Sequence, residues 1–201
     1  MRTLTLMLAQ ALFLSYSSLS QDIYAKVNTL DGKEMYILNE PVKSYEVVAE
    51  VKTGLKITSL LTRGLYNEDI HDKVAQFSRR AERKLSKKGT EFDALLYKEG
   101  RSAQAIRFTE EKSEKTDGLA IITQYNGVHT FVLANPVKDY QVETSVRGTI
   151  KFLPLLTYGF FNHTIAHDVN SYVRKVNRKT ENTLAVNYDT GRNISVIALS
   201  N

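Results

Sequence analysis

Apolar positions recur along this chain in two rhythms, and each rhythm appears twice. Alternating apolar and polar residues mark "IYAKVNT" (Ile23–Thr29) and "EMYILN" (Glu34–Asn39), on either side of Asp31-Gly32. The arrangement returns in "LAIITQ" (Leu119–Gln124) and "HTFVLA" (His129–Ala134), on either side of Asn126-Gly127. Asp-Gly and Asn-Gly between alternating runs predict two-residue hairpins, because a type I′ turn needs positive φ at both central positions. A third strand is predicted at Tyr45–Val51 and again at Tyr140–Val146, entered through Glu-Pro and Asn-Pro. Proline has no N–H to give to a ladder, which suits a connection. The third strand itself is expected to pair centrally and to send its valines into the core.

The rhythm then changes to a helical one. Ile70, Val74, Phe77, Ala81 and Leu85 form one apolar stripe, and Ile165, Val169, Tyr172 and Val176 form another. A single stripe predicts a helix lying on a sheet. Gly89 stands where a left-handed residue would end the first helix. Two further strands follow each helix: "FDALLYK" and "AQAIRF", then "LAVNY" and "ISVIAL".

The repetition extends beyond pattern to identity. "NEPVKSYEVVAEVKTG" (Asn39–Gly54) and "ANPVKDYQVETSVRGT" (Ala134–Thr149) align at an offset of 95 residues, and the match continues without gaps through both helices. A short deletion after Lys179 changes the offset before "YKEGRSAQAI" meets "YDTGRNISVI". So long a repeat indicates a duplicated domain or half-domain and not a solenoid. The expected fold is α+β: two tandem β-β-β-α-β-β units, each an antiparallel-rich sheet with one helix packed on one face. The first unit is expected over 21–108 and the second over 119–201. They are joined by the charged, aperiodic linker "TEEKSEKTDG" at 109–118.

Residues 1–20 read differently. Arg2 precedes an apolar run from Leu4 to Leu14, and Ser18 and Ser20 occupy the −3 and −1 positions of a cut before Gln21. That is the layout of a secretory signal peptide. The protein is therefore expected to be exported, periplasmic or extracellular, with cleavage near Ser20-Gln21. No later stretch is apolar and long enough to span a bilayer. Losing Arg2 takes the net charge from +5 to +4, a mild excess that points to no nucleic acid. The chain has no cysteine. Disulfides, thiolate catalysis and cysteine-ligated zinc are thereby excluded.

The third strand, the helix ending in "SKKG" and "FDALLYKEGRSAQAIRF" resemble the YbjQ-like family, also described as a heavy-metal-binding domain. The second half lacks the counterpart of "GTEFDALL". The resemblance implies ring-like assembly and no established catalysis. Its metal label does not carry over, since no ligand set matches.

Candidate chemistry is sparse. His163 and His167 stand four apart in "HTIAH", the spacing of two helical zinc ligands, but threonine replaces the glutamate that a zincin needs. They are the only metal candidates, set against surface or capping histidines. Arg79, Arg83, Arg174 and Arg178 lie opposite the apolar stripes. They are read as a solvated face favourable to the helix dipole, or as an anion-binding face. Leu65, Tyr66, Phe160 and Phe161 fall in "LLTRGLYN" and "LLTYGFFN", between third strand and helix. Apolar residues in a connection need cover, from the protein itself or from a partner. Asn67 and Asn162 are expected to cap the helices, and Gly64 and Gly159 to take conformations that resist a β-carbon. Sequons occur at Asn162 and Asn193.

No nucleophile elbow or phosphate loop is present, and no cofactor is expected. The sequence reads best as a non-catalytic binding or assembly module of a bacterial periplasm or envelope. Its partner would be a second copy or an envelope component. The alternative is a metal-dependent or hydrolytic enzyme with its site between the units. N-terminal sequencing of folded protein from the exporting cell is expected to begin at Gln21; Met1 there would overturn export.

Overall fold

The computed structural model describes residues 23–52, 70–111, 113, 115–125, 127–147, 164–180, 185–188 and 193–200. The fold is mixed α+β and mostly sheet, with two helices among the described residues. Strands of the first half are β1 (Tyr24–Val27), β2 (Thr29–Leu30), β3 (Lys33–Ile37), β4 (Asn39–Pro41), β5 (Tyr45–Lys52), β6 (Ala94–Tyr97) and β7 (Ser102–Phe108), with α1 (Ile70–Ser86) before β6. Those of the second half are β8 (Leu119–Ile122), β9 (Gln124–Tyr125), β10 (Val128–Val132), β11 (Ala134–Pro136), β12 (Tyr140–Arg147), β13 (Ala185–Tyr188) and β14 (Asn193–Leu199), with α2 (Ile165–Asn177) before β13.

Two five-stranded sheets run β2-β3-β6-β7-β5 and β9-β10-β13-β14-β12. Their registers agree residue for residue. Thr29 faces Glu34 in one hairpin, and Gln124 faces His129 in the other, 95 residues on. The parallel pairs Met35–Leu95 and Thr130–Val186 also correspond, at an offset of 95 for the first strand and of 91 for the second, which follows the deletion after Lys179. β5 on β7 and β12 on β14 each carry an irregularity, after Val47 and after Val142.

A four-stranded sheet, β11-β1-β8-β4, joins the halves. β1 pairs antiparallel with β8 about the couple Ala25–Ala120, and those two residues are themselves 95 apart. β1 also pairs with β11 and β8 with β4, so each half lends its first strand to the other. Pro41 and Pro136 sit on the outermost strands of this sheet, where a missing N–H costs no ladder bond.

The runs read from sequence as single strands are broken, because each serves two sheets. "IYAKVNT" divides at Asn28 into β1 and β2, and "EMYILN" divides at Leu38 into β3 and β4. Leu38 has φ 59° and Leu133 φ 50°. A left-handed leucine costs roughly 1–2 kcal/mol. Both side chains are buried, and burying one contributes roughly 1.5–3 kcal/mol, enough to offset the strain. The bends are fixed further by Leu38 N–H to the Tyr97 carbonyl and Leu133 N–H to the Tyr188 carbonyl, each 2.8 Å. The hairpin forms at Asp31-Gly32, with φ 51° and 74°.

Each five-stranded sheet is covered on both faces. Met35, Ile37, Leu95 and Tyr97 share one core with Val74, Phe77, Ala81 and Leu85 of α1, and that core continues through Val128, Val132, Val186 and the buried face of α2. On the opposite face Tyr36, Ala94, Leu96, Ile106, Phe131 and Ile197 pack with Ala25, Val27, Ala120 and Ile122 of the joining sheet. α1 closes with a Schellman motif at Gly89: Gly89 N–H reaches the Ser86 carbonyl (3.2 Å) and Thr90 N–H the Leu85 carbonyl (3.1 Å). α2 is capped by Thr164, whose hydroxyl accepts from His167 N–H. The cap expected at Asn162 is therefore displaced by two residues.

The third strand also departs from expectation. β5 and β12 are edge strands and not central ones. Among the residues of these strands whose burial is described, only Val51 and Val146 are buried. The irregularities after Val47 and Val142 interrupt the alternation that the sequence pattern assumes.

Ala25 and Ala120 have no exposed surface, so a larger side chain at either would push the two halves apart. Ala120→Leu is expected to cost about 1–3 kcal/mol in urea unfolding. Ala198→Ser, on the exposed side of β14, should change stability by less than about 0.5 kcal/mol.

Candidate functional site

Three places hold chemistry, and each is positioned by the sheet arrangement. The first is where β5 and α1 meet. Edge strand β5 leaves outward carbonyls, and α1 runs alongside with a basic turn. Lys84 Nζ donates to the Glu50 carbonyl (2.7 Å) and Arg80 donates to the Lys52 carbonyl. These two cations are committed to satisfying a strand edge. Arg79 Nε bonds back to the Ala75 carbonyl at 3.2 Å, while Arg79 and Arg83 are exposed.

The second is the outer face of α2. A groove of about 520 Å³ is lined by His167, Asn170, Ser171, Tyr172, Arg174, Lys175 and Arg178. His167, Arg174 and Arg178 are exposed. Two of the four arginines singled out from sequence, Arg174 and Arg178, are thus brought together with His167. Arg79 and Arg83 belong to the other helix. Leu65, Tyr66, Phe160, Phe161 and His163 lie outside the described residues, as do Gly64, Asn67, Gly159 and Asn162. Among the described residues no three His, Cys, Asp or Glu side chains gather as a metal site.

The third is a charged cluster where the segment after β7 crosses the joining sheet. The Lys43 side chain is 1% exposed; it pairs with Asp117 and lies 4.9 Å over the Phe108 ring. Lys26 donates to the Asp117 carbonyl. Glu34 accepts from Gly118 N–H (2.9 Å) and from the Tyr36 hydroxyl (2.6 Å). Burial, and then the bond to Glu34, push the Tyr36 hydroxyl above its ordinary pKa. The counterparts of Lys43 and Glu34 are Lys138, which is exposed, and His129.

His129 contacts Gln124 Nε2 at 2.9 Å through Nε2, while its Nδ1 is buried without a hydrogen-bond partner. Asn39 and Asn187 also bury side-chain amide atoms without partners. None of these was legible from spacing, because burial and not sequence separation defines them. No family model matches the chain, and no curated protein or solved structure matches it.

Desolvation lowers the His129 pKa from its ordinary value. The unfolded chain then binds more protons at this position than the folded one as pH falls through the usual histidine range. Stability contributed here is present above that range and is lost below it. The fall in unfolding free energy between pH 7.5 and pH 5.5 should therefore be smaller in His129→Gln than in the natural protein; equal falls would refute it.

Proposed function

We propose that the protein is an exported, non-catalytic assembly module, built from a duplicated β-β-β-α-β-β unit folded as an intertwined pseudo-dimer, and that it joins a second copy of itself through β12. The duplication is supported by the offset-95 registers and by the paired left-handed leucines. Export rests on the leader pattern of residues 1–20. No helix among the described residues is long and apolar enough to cross a membrane.

The observation that carries the assembly reading is the state of the two edges. β5 has its C-terminal end covered by Arg80 and Lys84. β12 is the same length, and its residues Tyr140–Ser145 are all exposed, with Val142 at 58%. Tyr140 and nearby Val137 add to the exposed apolar surface. Natural edge strands are blunted by charged side chains (especially lysine), proline, β-bulges or a covering element; β5 and β12 both carry an irregularity, and they differ in cover. Tyr140–Ser145 contains neither lysine nor proline. An edge with six exposed residues in a row, Tyr140–Ser145, is satisfied by another strand, and a second β12 is the strand always at hand.

Size-exclusion chromatography with light scattering of the mature protein, residues 21–201, is expected to give twice the mass of one mature chain, which is less than the 22.8 kDa of the full chain. Val142→Lys should return the mass to that of one chain without lowering the melting temperature of the monomer. A natural protein that stays monomeric at its highest soluble concentration would overturn the reading.

A further inference from the structure

We propose that the outer groove of α2 is a binding site for a phosphate-class oxyanion, carried by Arg174, Lys175 and Arg178 with Asn170 and Ser171 as neutral donors. These five residues, with His167 and Tyr172, line one continuous depression, and none of these seven described residues is acidic. The acidic residue of α2's first turn, Asp168, is engaged elsewhere: its carboxylate accepts from Lys73 Nζ of α1 at 2.8 Å. Three cationic side chains are thus brought together with no carboxylate among the described residues of the wall. Guanidinium groups give oxyanions paired, directional hydrogen bonds.

Comparison with α1 separates this face from ordinary helix solvation. At the same positions, 95 residues earlier, α1 has Asp72 for His167, Ala75 for Asn170 and Gln76 for Ser171. The groove at that helix is lined by Glu50, Val51, Lys52, Arg80 and Lys84, and so includes a carboxylate. Basic residues near a helix C-terminus are favourable on dipole grounds in both helices. Of the neutral donors beside them on α2, Asn170 is replaced on α1 by Ala75 and Ser171 by Gln76, whose amide donates to the Asp72 carbonyl (3.2 Å), and a carboxylate stands in the place of His167.

The chemistry has two sources, a soluble phosphate compound or a phospholipid headgroup, and one experiment distinguishes them. Inorganic pyrophosphate is titrated calorimetrically into the natural protein, and co-sedimentation is measured with phosphatidylglycerol vesicles against phosphatidylcholine vesicles. The same measurements are made on Arg174→Ser/Arg178→Ser and on the matched control Arg79→Ser/Arg83→Ser. All four arginines are exposed, so both variants should fold, which circular dichroism checks. Each variant loses the same two charges, so bulk electrostatics affects them alike.

The expected result is that the α2 variant loses about tenfold or more in affinity, as for removal of charged hydrogen-bond donors, while the α1 control stays within about twofold. Loss of pyrophosphate binding identifies a soluble ligand; loss of vesicle binding alone identifies a headgroup. Equal weakening of the two variants, or no binding of either probe to the natural protein, would overturn the site.

Discussion

The antiparallel couple of β1 with β8 is the contact on which the rest of this structure depends. It is centred on Ala25 and Ala120, and both residues are fully enclosed. Because β1 also pairs with β11, and β8 with β4, neither half closes its own joining strands. Each half completes the hydrogen bonding of the other. Small side chains at the centre are what allow this. Backbone ladders place facing β-carbons about 4.5–5.5 Å apart, and alanine fills that space while the five-stranded sheets still approach on either side.

The consequence for packing is that β3, β6, β10 and β13 are covered on both faces, by a helix-bearing core and by the joining sheet. That explains the burial of every residue of "ALLY" and "AVNY", where an alternating pattern would apply to a sheet with one wet face. It also explains the strained leucines. A chain that leaves one sheet for another within a residue must turn sharply, and at Leu38 and Leu133 the turn occurs where a large side chain is needed in the core. Glycine would relieve the backbone and leave a hole.

Much of this was legible in the sequence where local chemistry is decisive. The Asp31-Gly32 turn, the apolar stripe of α1 and the stop at Gly89 each follow from one or two residues whose physics is short-ranged. Strand placement was harder. Tyr45–Val51 has the composition of a buried strand, yet its position at a sheet edge depends on which strands arrive beside it, a non-local fact. The breaks at Asn28 and Leu38 were hidden for the same reason, since nothing in "EMYILN" announces a change of sheet. Val173 is fully buried on α2, although the stripe read from sequence passed through Tyr172 instead. Of the candidate site residues, Arg174, Arg178 and His167 were visible as charge and spacing. The groove that unites them appears only when the helix is laid on its sheet.

A last feature concerns the relation between the halves. Lys73 and Asp168 are separated by 95 residues, as are Ala25 and Ala120, and they form an ion pair between the two helices. A contact between positions that match at this offset is what the proposed duplicated unit, folded about a local twofold, would produce. In a dimer of identical chains each would face its own copy, lysine on lysine or aspartate on aspartate, and like charges would repel. A single chain with two non-identical halves can place opposite charges there instead. The pair is only partly exposed, so water screens it less than a surface bridge. The same freedom appears where buried Lys43 meets Asp117 while Lys138 faces solvent, and where Glu34 has His129 as its counterpart. Covalent linkage of the halves therefore does more than raise their local concentration: it permits asymmetry at positions where symmetry would be electrostatically unfavourable, and leaves the two helices free to carry different surfaces.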